Sequence, residues 1–206
     1  MISAFSTGFF IGISLIMAIG AQNTFVLKQG ILGKHLLFVA LFCSLADALL
    51  IVIGVSSISF FFNTFFDKFS YLFFGLSSLW LAGYGAIRLS SALKASTSFE
   101  IEISKPSNLL QILSTLIIFT FANPHVYLDT MILIGAVSQQ FLGDDKIVFT
   151  IGASLASFVF FFTLAYGAKL LTPLMKHPYS WRILDAIVSL IMFILAIKMA
   201  YAGNWI

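Results

Sequence analysis

Polar residues along this chain act as punctuation between six apolar stretches, at about Ala4 to Leu27, Leu36 to Phe62, Phe69 to Ser91, Leu109 to Leu142, Ile147 to Leu171 and Ile183 to Gly203. Each is long enough to cross a hydrocarbon core of about 30 Å, which takes roughly 20 helical residues. The stretches are continuously apolar rather than alternating, and a helix satisfies its own backbone hydrogen bonds in lipid. The pattern therefore predicts an all-α membrane protein with six transmembrane helices, not a barrel. The uncharged start, Met1 to Leu27, is read as the first span, because it lacks the basic opening of a secretory leader and exceeds the usual apolar core of roughly 7 to 15 residues.

Composition agrees. Hydrophobic residues make up 60% of the chain and charged ones 9%, where a water-soluble domain carries about 25% charged residues. The net charge of +3 contains no basic block, so nucleic acid is not an expected partner and the positive excess reads as membrane orientation. Lys28, Lys34, Arg88, Lys94, Lys105, Lys169, Lys176 and Arg182 fall in the first, third and fifth connections, against Lys68 and Lys146 in the second and fourth. The odd connections are thus expected in the cytoplasm and, with six spans, both termini outside; a five-span form, which the charge count alone does not exclude, would change this topology. The lone cysteine, Cys43, has no partner for an internal disulfide.

The third connection, 94–108, is the one long polar stretch. It divides the chain into a three-span half at 1–93, a cytoplasmic linker and a second half at 109–206. Repeats of odd span number lie upside down relative to each other, an arrangement common among secondary transporters, whose halves rock about a central site. Two short echoes favour such a repeat: Ser44-Leu45-Ala46-Asp47 with Ser154-Leu155-Ala156-Ser157, and Asn23-Thr24-Phe25-Val26 with Asn123-Pro124-His125-Val126.

Candidate chemistry begins with Asp47 in the second span and Asp129 in the fourth. A charge at the bilayer centre costs about 2.5 to 3.5 kcal/mol on insertion scales, so such residues face an interior cavity or serve as packing devices within the bundle. The fourth region is too long for one straight crossing and is expected to break at Asn123-Pro124, with Asn123 as N-cap, Pro124 as first helical residue, and Phe121 and Ala122 in the joint. A simple proline kink is the plainer alternative. A half-helix start inside the membrane offers free N–H groups and a positive dipole end to a carboxylate. His125 and Asp129, four residues apart, would share one face of that half-helix. An anion site beside a carboxylate suits a substrate carrying both charges, a basic amino acid best of all. Gln22 and Asn23, adjacent amides in an uncharged run, read as substrate or gate ligands, or as glue between helices. Gly8 and Gly12 read as close helix packing, and Asp185 with Arg182 as a helix-end ion pair.

At these places the sequence resembles the LysE/ArgO family of basic amino-acid exporters. The resemblance covers most of the chain and rests on Gly20-Ala21-Gln22-Asn23 with Phe25-Val26-Leu27 and Gln29-Gly30, on Asp47 within Leu45-Ala46-Asp47-Ala48, and on Asn123-Pro124-His125-Val126-Tyr127-Leu128-Asp129 with Ile134-Gly135. A related branch that exports neutral amino acids typically carries Gly-Pro-Asn and Asn-Pro-Lys where this chain has Gln22 and His125. The resemblance implies export of L-arginine or L-lysine across a bacterial inner membrane, driven by the proton or voltage gradient. The expected site comprises Asp47, Asp129, Gln22, Asn23, Asn123, Pro124, His125 and Tyr127, with Asp47, Asp129 and His125 as proton carriers. No cofactor or metal is expected, and a homodimer is compatible with the sequence.

Two rivals differ in class. A cation or metal-ion transporter could use Asp47 and Asp129 as oxygen ligands. An intramembrane aspartyl enzyme finds little support, because Gly-x-Gly-Asp is missing, the Gly152-Ala153-Ser154-Leu155 stretch does not continue as a nucleophile elbow, and His35, His125 and His177 lack zinc spacing.

Overall fold

The computed structural model describes residues 1–17, 20–60, 67–93, 108–173 and 178–205. The 94–108 linker, apart from Asn108, and His177 lie outside the described residues. Those that are described are helical nearly throughout: α1 (Ile2–Ile16), α2 (Ala21–Leu32), α3 (Leu36–Phe60), α4 (Asp67–Leu93), α5 (Leu109–Phe121), α6 (Pro124–Tyr127), a π-helical turn (Leu128–Leu133), α7 (Ile134–Ser138), α8 (Asp144–Gly167) ending in a 3-10 turn (Ala168–Leu171), and α9 (Pro178–Ala202). Among them, Leu36–Ser57, Asp144–Leu171 and Arg182–Ala202 are each long and apolar enough to cross a membrane unbroken, and the bent pair α1–α2 adds a fourth candidate if it is counted as one span. The chain is a multi-pass helical membrane protein.

Local chemistry sets several helix ends. Asn108 caps α5 by accepting from the Leu110 N–H at 3.0 Å. Gly33, at φ 70°, closes α2 in the left-handed conformation that a glycine adopts without strain. Asp144 and Asp145 in the first turn of α8 suit its positive end.

The expected single first span is in fact two helices. α1 stops at Ile16, α2 starts at Ala21, and their axes differ by 83°. The fourth region breaks as well. Here α5 continues through Phe121, Ala122 is its C-cap, and helix resumes at Pro124. Phe121 is therefore helical and not part of the joint, since only the missing proline N–H and the restricted residue before it demand a break. The next six residues widen into the π-helical turn.

Both broken runs lie along unbroken helices. α1 and α2 follow α8, with Ala4 clustered near Phe149, Ile16 and Val26 near Phe161 and Ala165, and Thr172 Oγ1 donating to Ile31 O at 3.3 Å. The fit is close because glycines face backbone. A Cβ on Gly8 would strike the Phe149 carbonyl, one on Gly152 the Phe5 carbonyl, and one on Gly12 would come within 3.1 Å of Ala153. Gly8 and Gly12 are thus packing residues. In the same way α5 and α7 follow α3, with Ile112 and Leu116 clustered near Val39 and Cys43, Ile134 near Ile51 and Val55, and Gly54 against Met131. α3 and α8 pack on each other, and α4 packs antiparallel on α9. That last pair is tied by Trp205 Nε1 to Tyr71 O (2.9 Å), Ser189 Oγ to Gly85 O (2.9 Å) and Arg182 Nε to Ala92 O (2.9 Å).

Among the described residues, the most extensive packing thus runs between the two sequence halves. The expected ion pair of Asp185 with Arg182 also gives way to a longer-range partner. Asp185 meets Arg88 across the α4–α9 contact at 3.3 Å, while Arg88 Nε donates to the Tyr84 hydroxyl at 2.7 Å. Arg182 instead spends its Nε on the last turn of α4.

Candidate functional site

The two helix breaks open onto one cavity. Gly20, Gln22 and Asn23 from the first joint line it, with Asn123, Val126, Asp129 and Thr130 from the second and Asp47 from the middle of α3. Leu15, Ile16, Leu81, Phe161 and Leu195 complete the wall. Backbone that leaves the helix inside a membrane is tolerated where it borders such a space, because the freed polar groups need partners. The cavity measures about 50 Å³, room for roughly three to five waters.

The acids reach it differently. Asp47 is buried, and its Oδ2 accepts a hydrogen bond from Ser157 Oγ on α8 at 3.2 Å. Asp129 is half-buried on the π-helical turn. A π-turn adds a residue to the helical repeat, which shifts every side chain after it around the axis; such insertions gather at functional sites. Thr130 is held by donating to Val126 O at 2.7 Å.

The amides stand opposite in kind. Gln22 is 5% exposed and its Nε2 has no hydrogen-bond partner. Asn23 Nδ2 donates to Ile16 O at 2.8 Å, so it satisfies a carbonyl left over where α1 ends. Asn23 also borders a second, apolar cavity of about 250 Å³ between α2, α8 and α9, lined by Leu27, Leu164, Leu184 and Ile187 among others. It is thus the polar residue shared by the two spaces.

Of the residues singled out from sequence, Asp47, Asp129, Gln22, Asn23 and Asn123 are brought together around this space. The backbone of Pro124 and His125 forms the start of α6, and their side chains lie outside the described residues. Tyr127 is not among the residues that line this cavity; its hydroxyl donates to Phe121 O at 2.8 Å, spanning the joint and satisfying a carbonyl near the end of α5. The sequence reading missed Gly20, Thr130 and Ser157 as site neighbours. Ser157 was legible as the counterpart of Asp47 in the echo, and Thr130 as the residue after an intramembrane acid. No described group of three or more His, Cys, Asp or Glu residues is placed to hold a metal ion.

Comparison with known proteins gives a consistent result. Residues 13–203 match the family described as LysE type translocator. The arginine exporter protein ArgO of Pectobacterium carotovorum subsp. carotovorum is 34% identical over 208 residues, covering 98% of this chain and 99% of that protein. The arginine exporter protein ArgO of Salmonella typhimurium is 32% identical over 212 residues, covering 98% and 96%. No solved structure matches the chain.

Proposed function

This chain belongs to the LysE-type translocator family, and from that premise we propose that it exports L-arginine, and L-lysine with it, from the cytoplasm across a bacterial inner membrane. It is a transporter and not an enzyme. The observation that carries the reading is the cavity in which two intramembrane carboxylates face amides and two interrupted helices. Asp47 and Asp129 take the cationic end of the substrate. The amide side, with Gln22, Asn23, Asn123 and the helix starts, takes the carboxylate. A neutral amino acid would leave one carboxylate without a partner, at a cost that discriminates against it.

The fold reading is six crossings in two inverted halves, 1–93 and 109–206, joined by the 94–108 linker. What supports it is an exchange of contacts. If the Ser44 to Asp47 stretch is matched to Ser154 to Ser157, the Cys43–Phe161 neighbourhood maps onto that of Ile51 and Ala153. The packing of the first broken run on α8 maps onto that of the second on α3. Each broken run keeps company with an unbroken helix from end to end, so each counts as one crossing. With the positive residues inside, both termini then lie outside.

Export of a cation works against an inside-negative potential by about 2.3 kcal/mol per 100 mV, so transport is coupled to an inward proton. Asp47, Asp129 and His125 are the carriers we assign.

The test is efflux from loaded proteoliposomes. Labelled arginine and lysine leave, homoserine does not, and Asp47→Asn or Asp129→Asn abolishes the efflux while each variant still inserts and elutes as a folded protein. Full efflux in both variants, or efflux of a divalent cation in place of arginine, overturns the reading.

A further inference from the structure

Gln22, Asp47, Asn123 and Thr130 line the cavity and are all buried. A substrate from the cytoplasm therefore reaches them past other side chains. Resting on the exporter reading and its orientation, we propose that the cytoplasmic gate is a three-ring contact of Phe25, Tyr84 and Phe119, latched by Arg88 and Asp185.

Chain direction puts the three rings on one side of the cavity. Tyr84 follows the cavity-lining Leu81 by three residues on α4, which runs on into the 94–108 linker. Phe119 precedes the cavity-lining Asn123 by four residues, on α5, which starts from the same linker. Phe25 follows the cavity-lining Asn23 by two residues on α2, which runs on into the first connection. Each ring thus lies within about one helical turn of the cavity, towards the connections assigned to the cytoplasm.

The rings form one layer across three helices. Phe119 meets Phe25 edge to face at 5.7 Å between centroids and meets Tyr84 in the same way at 5.4 Å. Trp80 backs Tyr84 from its own helix, stacked at 5.7 Å. Phe25 and Phe119 belong to the two broken runs, and Tyr84 to the α4–α9 pair. Parting that pair from the broken runs therefore separates the layer, and ring contacts of this kind are attractive without being covalent.

Arg88 lies one turn beyond Tyr84, further towards the linker. Its Nε donates to the Tyr84 hydroxyl at 2.7 Å, and its guanidinium carbon lies 4.9 Å from the centre of the Tyr84 ring. Its Nη1 reaches Asp185 on α9 at 3.3 Å. One guanidinium thus ties the gating ring to both helices of its pair.

The experiment labels the full chain in membrane vesicles with an impermeant thiol reagent. Thr130→Cys and, separately, Val126→Cys report from inside the cavity, and the chain without either serves as blank. Tyr84→Ala and Phe119→Ala each speed labelling in inside-out vesicles by about tenfold, as loss of an aromatic contact and its buried area requires. Neither changes the rate in right-side-out vesicles. Arg88→Met combined with Asp185→Leu also speeds labelling from the cytoplasmic side, even though it removes both charges together and strands neither, a gain that a purely structural ion pair would not give. Phe141→Ala, which removes a ring stacked on Phe149 beside the fourth connection, alters neither rate. Unchanged cytoplasmic labelling in both Tyr84→Ala and Phe119→Ala, or equal acceleration from both sides, overturns the gate, and arginine efflux by the wild type then leaves the exporter reading standing. Acceleration from the outer side alone overturns the cytoplasmic assignment. An unaltered rate in the double variant removes the latch. A wild type that carries no arginine overturns the exporter reading, and the gate's role with it.

Discussion

Ser157 on α8 donates its hydroxyl to Asp47 Oδ2 on α3 at 3.2 Å, in a buried contact between residues 110 positions apart. The same two residues end the four-residue echo shared by the second and fifth apolar runs. On the proposed inverted-repeat reading, matched places in the two halves come into contact where the repeat axis passes between them, and this bond would mark that place.

It also fixes the carboxylate next to the cavity. Ser157→Ala should therefore lower arginine efflux severalfold, with most of the change in apparent affinity, whereas Asp47→Asn should lose it by more than an order of magnitude. A hydrogen bond to a charged group is worth about 1.5–3 kcal/mol. Initial-rate efflux against substrate concentration separates the two cases, and equal effects of both changes would show that Ser157 does more than hold Asp47 in place.

The glycine contacts between α1 and α8 predict stability without reference to transport. Gly8→Ala sets a methyl group on the Phe149 carbonyl and should cost about 1–3 kcal/mol, as overpacking does. Gly83→Ala meets nothing within 4 Å and should be neutral or slightly stabilising. Thermal melting of the detergent-solubilised variants checks the contrast.

Arg88 and Asp185 form a partly buried pair, with side chains 19% and 18% exposed. Removing one partner strands the other. Asp185→Leu or Arg88→Met alone should destabilise by about 1–3 kcal/mol, less than a fully buried pair would because water still reaches both groups. The double variant should recover most of that loss. A double-mutant cycle on melting temperature measures the coupling, and strict additivity would argue against any interaction.

Topology is open to a clean labelling test because Cys43 is fully buried. Ser3→Cys and Asp145→Cys should both react with an impermeant thiol reagent added to whole cells. Thr172→Cys should react only after the membrane is opened. Reaction of position 172 from outside would reverse the assigned orientation.

The sequence made the apolar helical runs legible because hydrophobicity is a property of composition over about twenty residues and survives any detail of packing. The break at Asn123-Pro124 was legible for a different reason, since proline removes a backbone donor wherever it sits. The break between Ile16 and Ala21 carried no such mark. Its signal was Gly20 followed after Ala21 by two adjacent amides, Gln22 and Asn23, which tertiary contacts turn into a joint and a cavity wall. The π-helical turn was invisible, because Leu128 to Leu133 reads as ordinary apolar helix. Tyr127 was read as a neutral ligand within the Asn123 to Asp129 stretch, and its bond to the Phe121 carbonyl could not be read from sequence because it depends on how the joint is shaped.

The glycine seams have a further consequence for how a passage opens. The first broken run is clamped to α8, and the second is packed on α3, each across the polar linker. A rocking motion that divided the chain into its front and back halves would have to prise backbone from backbone at Gly8, Gly152 and Gly54. The α4–α9 pair is bound to itself along its length and meets the clamp at Ala21 and Phe119. Its Leu81 and Leu195 already form one wall of the cavity. On the proposed exporter reading, the part expected to move is the α4–α9 pair against the other helices, and the chain's midpoint in sequence is then not its mechanical one.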